Sequence, residues 1–378
     1  MMKKPLAILS MAILGAFPPA TRLVDLYRAG PVVVRADEDW TANLPPDLFF
    51  ESRGDIAVAP DGSVFVSNTS RHTIYKFDPK GRFVKRFGQK GQGPGDLTFP
   101  GRLSILDGQY LVVGEYATNQ RLSLFDLDGN LVKLLGTGRF TSQAIALGDG
   151  KIAYVSIKGR LEPDEMVKRC EVLTIDWRSG AQRSVVAHEI RMPIARFGAG
   201  GIISSGNTGV LLAPTSEGGL VVGRTDKAEL EVFTADGAKV RTIDTGWKPV
   251  PVTAQYRDRY RALQHERAAA EGRKPPANEP PFPDFLNVLQ DIWADDEGNI
   301  LVCRNTDCLE GCPLQFKVYA PAGAFISDFE LRPGLFALAA DHQFRRIVVS
   351  GRGLYGLLEL GADPDGFLHL IRMALGPR

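Results

Sequence analysis

Phe87-Gly-Gln-Lys-Gly-Gln-Gly-Pro-Gly-Asp-Leu-Thr-Phe-Pro-Gly-Arg102 is a glycine-rich connector between two copies of one pattern. Before it run Asp55-Ile-Ala-Val-Ala-Pro-Asp-Gly-Ser-Val-Phe-Val-Ser-Asn68 and Thr73-Ile-Tyr-Lys-Phe-Asp-Pro-Lys-Gly-Arg-Phe-Val-Lys-Arg86. After it the cadence returns in Arg121-Leu-Ser-Leu-Phe-Asp-Leu-Asp-Gly-Asn-Leu-Val-Lys-Leu134. Short alternating apolar runs of this kind are strands, and Asp-Gly-type turns join them into hairpins. Their return every forty-odd residues is the sequence form of propeller blades.

The turn before each outer strand marks the repeat. It stands at Asp78–Gly81, Asp126–Gly129, Asp176–Gly180, Thr234–Gly237, Ala320–Gly323 and Asp363–Gly366. The turn between the first two strands stands at Asp61-Gly62, Asp107-Gly108, Asp149-Gly150, Glu217-Gly218 and Glu297-Gly298, and is degraded near His342 in the last repeat. The fold class is therefore all-β, a six-bladed β-propeller over residues 50–373. Two closures stay open. Val32-Val-Val-Arg35, in an N-terminal segment of residues 21–49, can supply a closing strand. The last repeat, however, counts four strands of its own up to Phe367–Arg372.

Composition agrees with a folded, turn-rich chain: 378 residues, 44% hydrophobic, 24% charged, with 40 glycines and 25 prolines. A formal charge of +1 gives no electrostatic reason to expect nucleic acid. Lys3 and Lys4 precede an apolar run from Leu6 to Phe17, so residues 1–20 read as a signal peptide. Leu14-Gly15-Ala16 and Pro18-Pro19-Ala20 are alternative cleavage sites. The run is too short for a permanent transmembrane anchor, and no later segment is apolar enough. The expected location is periplasmic or secreted, with an uncleaved signal as the alternative. Export makes a disulfide among Cys303, Cys308 and Cys312 the first expectation; free thiols and a metal site are the others, and Cys170 lies far away.

Residues 246–287 interrupt the rhythm between blades four and five. Trp247-Lys-Pro-Val-Pro-Val-Thr253 leads into the helix-favouring run Ala254–Ala270, with Thr253 as N-cap. Proline-rich Pro275–Pro283 then returns the chain to the next inner strand. An inserted helical, proline-rich segment of this length reads as a lid or a docking arm.

The Phe-Gly-x-x-Gly-x-Gly-Pro-Gly-Asp connector at Phe87–Asp96 and the hairpin Asp61–Asn68 resemble the NHL-repeat branch of six-bladed propellers. The helical insertion resembles that of exported bacterial propellers of unassigned activity. The resemblance implies a binding platform. The fold also resembles the calcium- or zinc-using gluconolactonase propellers, which implies Glu51, Asn207 and Asp291 as ligands of a divalent ion that activates water.

Other motifs reduce to structure. A phosphate loop opens a helix, whereas these glycines lead into a strand at Gly101–Ile105. Asp126-Leu-Asp-Gly-Asn130 lacks the distal glutamate of a calcium loop and reads as a hairpin turn. The histidines, His72, His188, His265, His342 and His369, form no ligand pair and sit beside no nucleophile. What remains is the channel mouth, where inner strands begin: Arg53, Asp55, Arg102, Gln143, Asn207, Gln290 and Asp291. Arginine and amide groups there suit carboxylates, sugars or peptide backbone. The leading expectation is an exported, non-enzymatic propeller without a cofactor that binds a protein, peptide or glycan through one face. The alternative is a metal-dependent hydrolase or lactonase at the central channel.

Overall fold

The computed structural model describes residues 22–28, 30, 32–45, 47–50, 54–115, 120–197, 201–203, 208–270, 281–306, 313–333, 343–350, 353–359 and 368–377. A short helix α1 (Leu23–Arg28) and a strand β1 (Val32–Thr41) come first. Blade 1 is β2 (Ile56–Val58), β3 (Val64–Asn68), β4 (Thr73–Phe77) and β5 (Phe83–Phe87). Blade 2 is β6 (Pro100–Leu106), β7 (Tyr110–Glu115), β8 (Arg121–Asp126) and β9 (Leu131–Gly136). Blade 3 has longer strands, β10 (Thr141–Gly148), β11 (Lys151–Leu161), β12 (Glu165–Asp176) and β13 (Gln182–Pro193). A small hairpin, β14 (Ala195–Phe197) and β15 (Gly201–Ile203), leads to blade 4: β16 (Val210–Pro214), β17 (Leu220–Arg224), β18 (Glu229–Phe233) and β19 (Lys239–Asp244). After α2 (Ala254–Ala270), blade 5 is β20 (Leu289–Ala294), β21 (Ile300–Arg304), β22 (Leu314–Tyr319) and β23 (Phe325–Pro333). The last repeat contributes β24 (Gln343–Ser350), β25 (Gly353–Glu359) and β26 (Leu368–Pro377).

The innermost strands touch in a closed circuit: β2 with β6, β6 with β10, β10 with β16, β16 with β20, β20 with β24, and β24 with β2. The apolar core is divided accordingly into six clusters, each filling the space between two neighbouring blades. Alternation produces this. On β3, Val64 and Val66 face the last blade, while Phe65 faces blade 2. Both faces of a blade are thus buried, and the inner strands read as near-continuous apolar runs.

Closure differs from the four-strand count of the last repeat. Among the described residues that repeat supplies three strands, and β1 is the fourth. It pairs antiparallel with β26 from Val34↔Pro377 to Thr41↔Ile371. Its other edge pairs parallel with β23, so the last two blades form one eight-stranded sheet. The strand before the Asp363–Gly366 turn, β25, is therefore second rather than third; that turn itself lies outside the described residues. The first hairpin of the repeat closes between Ser350 and Gly353, not near His342.

A glycine contact shows why β1 belongs there. In blade 2 the turn residue Gly129 has φ +78°, and a Cβ on it would lie 2.6 Å from the Phe87 ring of the preceding outer strand. In blade 1 the equivalent Gly81 has φ +76°, and its Cβ would lie 2.5 Å from Trp40. Trp40 of β1 thus holds the place of an outer-strand aromatic. The helix α1 adds a further tie. Tyr27 is fully buried against Phe329, and its hydroxyl bonds Asp295 while accepting from Asn299 Nδ2 at 2.9 Å. The expected signal peptide, residues 1–20, lies outside the described residues.

The glycine connector wraps its own anion. Asp96 Oδ2 accepts from Gly93 N–H at 2.9 Å, and Oδ1 accepts from Gln89 Nε2 at 2.9 Å. Arg121 donates to the Gln92 and Asp96 carbonyls at 2.8 and 2.9 Å. The chain then enters β6 as expected. In the insertion, Thr253 Oγ1 accepts from Tyr256 N–H at 3.1 Å and caps α2. Leu263 is buried, and Tyr256 and Tyr260 flank Phe282 of the returning arm.

Candidate functional site

Three of the residues expected at the channel mouth meet. Asp55 precedes β2, Arg102 lies on β6, and Asp291 lies on β20, three places round the ring from blade 2. Arg102 reaches across the axis, with Nη2 3.4 Å from Asp291 Oδ1 and Nε 3.9 Å from Asp55 Oδ2. Bulges re-aim the side chains: register shifts occur between Pro100 and Leu103 on β6 and between Leu289 and Asp291 on β20. The three side chains are 6%, 12% and 15% exposed for Asp55, Arg102 and Asp291. Burial pushes both carboxyl groups above the ordinary aspartate value, and the Arg102 guanidinium opposes it. Leu103 N–H donates to Asp55 Oδ2 at 2.9 Å, and Ile292 N–H to Asp291 Oδ1 at 2.9 Å. Chemically this is a strut. It ties blades 1, 2 and 5 across the mouth, above a channel space of about 190 Å3 bounded by Val58, Ile105, Ile145, Leu212, Ile292 and Val348.

The other expected residues divide. Gln143, at a bulge on β10, donates to the Val210 carbonyl of β16 at 2.7 Å and so joins two blades. Gln290 is exposed and bonds the Cys303 thiol at 3.6 Å rather than facing the triad, because the bulge at its position turns Asp291 inward instead. Glu51, Arg53 and Asn207 lie outside the described residues, as do Cys308 and Cys312. Cys303 is a free thiol, and a bridge between the other two candidates, Cys308 and Cys312, lies outside the described residues. It sits on β21 within the core beside Leu301 and Phe316, and burial raises its thiol well above its usual value. Cys170 is likewise free and buried.

Sequence reasoning missed the apolar surface. Among the described residues, the eight large exposed hydrophobic side chains fall into two sets. Val84, Val132, Val240 and Phe325 each occupy the first or second position of an outer strand, at the far end of the blades. Phe99, Phe140, Leu161 and Phe285 are 42%, 50%, 50% and 53% exposed, and all stand at the end where inner strands begin, the mouth face. Three of them are aromatics in the connectors just ahead of β6, β10 and β20. An aromatic in three blade-to-blade connectors was the available signal. Phe99 is held in the left-handed region, φ +52°, with its N–H on His72 Nδ1 at 3.1 Å and its ring 4.8 Å from the imidazole. Burial and nearby Lys90 lower the His72 pKa, which keeps Nδ1 an acceptor.

On the same face, the insertion and the end of β13 enclose a groove of about 360 Å3. Met192, Pro193, Tyr256, Phe282 and Phe285 line its apolar part. Thr208, Asn287 and Asn305 form its polar part.

No family model matches the chain. A stretch of 127 residues is 25% identical to the protein called brain tumor of Drosophila melanogaster, covering 33% of this chain and 11% of that protein. The matched part is thus about a tenth of the fly protein. Among solved structures, a protein from Bacteroides fragilis described as exported superposes with a TM-score of 0.52 at 10% identity, covering 92% of this chain and 96% of that one. A DUF4221 family member from Bacteroides vulgatus gives 0.49 at 14% identity, covering 92% and 99%. The first of these likenesses agrees with the propeller fold. Among the described residues, no helix is long and apolar enough to cross a membrane.

Proposed function

We propose that this chain is an exported binding propeller of the NHL-repeat kind that holds a partner protein against its mouth face. The observation that carries this is the gathering of Phe99, Phe140, Leu161 and Phe285 on that one face, around a mouth already tied by the Arg102 strut. Exposed large apolar side chains on one face are the chemistry of protein contact. The other set, on the rim at the far end of the blades, stands at the first or second position of an outer strand in four blades and is accounted for by the repeat itself. The exported character is supported by the Lys3-Lys4 and Leu6–Phe17 pattern and by the name of the Bacteroides fragilis protein.

The metal-dependent reading fits less well. Of its three ligands, Asp291 is the one described, and its carboxylate faces the Arg102 guanidinium and the Ile292 amide. A fixed cation beside the donor repels a calcium or zinc ion. A serine-substituted face (Phe99→Ser, Phe140→Ser, Leu161→Ser, Phe285→Ser) tests the proposal against a rim control (Val84→Ser, Val132→Ser, Val240→Ser, Phe325→Ser). Partners from the host's own envelope should stay with the wild type and the rim variant and be lost from the face variant. Equal retention by both variants would sink the proposal.

A further inference from the structure

The groove beside the insertion carries a more specific reading, which rests on the binding role of the mouth face. Its charged residues are already neutralised within the protein. Arg191 is paired with Glu165 at 3.1 Å and Glu189 at 3.0 Å. Asp226 takes both nitrogens of the Arg224 fork, at 3.0 and 2.6 Å. The polar groups left for a ligand are neutral amides. Asn287 Oδ1 accepts from Thr208 Oγ1 at 3.0 Å. Among the described residues, neither the Asn287 amide nitrogen nor the Asn305 carboxamide has a partner. A carboxamide offers one acceptor and two donors in a plane, which matches the alternating N–H and C=O of a peptide main chain.

The apolar part of the groove favours a peptide side chain at Phe282. A pyranose needs an open ring face. At Phe282 the Arg257 guanidinium lies over the ring, 5.7 Å from its centroid, and Tyr256 and Tyr260 stand at 90° and 88° to the ring plane, so this ring is already engaged within the protein. Together with Met192 and Pro193, Phe282 and Tyr256 give the groove an apolar lining suited to an aliphatic or prolyl side chain.

We propose that this groove seats an extended, uncharged peptide segment of a partner protein. The carboxamides of Asn287 and Asn305 hold its main chain, and one apolar side chain packs on the lining of Met192, Pro193, Tyr256 and Phe282. No covalent step is involved.

The test is selection of displayed random linear peptides on the full chain, followed by titration of the enriched peptides against variants. Neutral peptides with a recurring aliphatic or prolyl position are expected. Their affinity should fall about tenfold or more with Asn287→Ala and with Asn305→Ala. Phe285→Ser, at an exposed position where folding is not at risk, should weaken them as well. Val84→Ser and Val132→Ser, on the rim, should leave them unchanged. Peptides that depend on Phe99 or Phe140 but not on the two asparagines would overturn the groove while leaving the mouth-face reading intact. No enrichment, or capture of an arrayed glycan in a manner that needs Asn287 and Asn305, would overturn the peptide reading.

Discussion

Arg102 serves two carboxylates from two other blades, and its removal should be felt in proportion to their charge. Arg102→Met leaves Asp55 and Asp291 buried and uncompensated, which costs about 3–5 kcal/mol at neutral pH. Both carboxyl groups already titrate above the ordinary value, so acidification neutralises them. The melting deficit of the variant against wild type should therefore shrink as pH falls; a deficit that grows would contradict the strut. His72 works in the opposite sense. Its folded pKa lies below the ordinary 6.5, so folding favours the neutral ring. Its contribution is complete above that value and is lost as pH falls through the folded pKa. Wild type should lose more stability than His72→Asn between about pH 7 and pH 5, read from melting curves. The positions of Asp55, Arg102 and Asp291 were legible as starts of inner strands. Their pairing was not, because it depends on a bulge at each end and on which blade lies opposite which.

The turns that define each hairpin were legible because a positive φ calls for glycine at one place in the repeat. Gly129→Ala combines that strain with a Cβ 2.6 Å from Phe87, and should destabilise by about 2 kcal/mol or more in a denaturant melt. The last blade was less legible for two physical reasons. The sequence between Ser350 and Gly353, where its first hairpin closes, has no acidic residue to mark it, and its fourth strand comes from the other end of the chain. A chain lacking residues 22–41 would expose the edges of β23 and β26 and lose Tyr27 and Trp40 from two cores. It should aggregate on gel filtration; a monomer with an unchanged melting point would contradict the role of β1. The N-cap of α2 was legible from Thr253 alone. Thr253→Ala should cost about 1 kcal/mol, seen as faster amide exchange confined to the first turn of α2.

At the scale of the whole molecule, sequence periodicity specified a ring because every blade must bury both faces. It said little about which surface faces a partner, since exposed apolar residues acquire meaning only once the blades place them on one side. Phe99 and Phe140 are separate connector residues in the chain and neighbours in purpose on the mouth face. A photo-crosslinking residue placed at position 140, with position 132 on the rim as its control, tests the binding face in living host cells. Crosslinks to a defined protein from position 140 and not from position 132 are the predicted result. Crosslinks from 132 alone, or none from 140 while the protein remains folded, would contradict it.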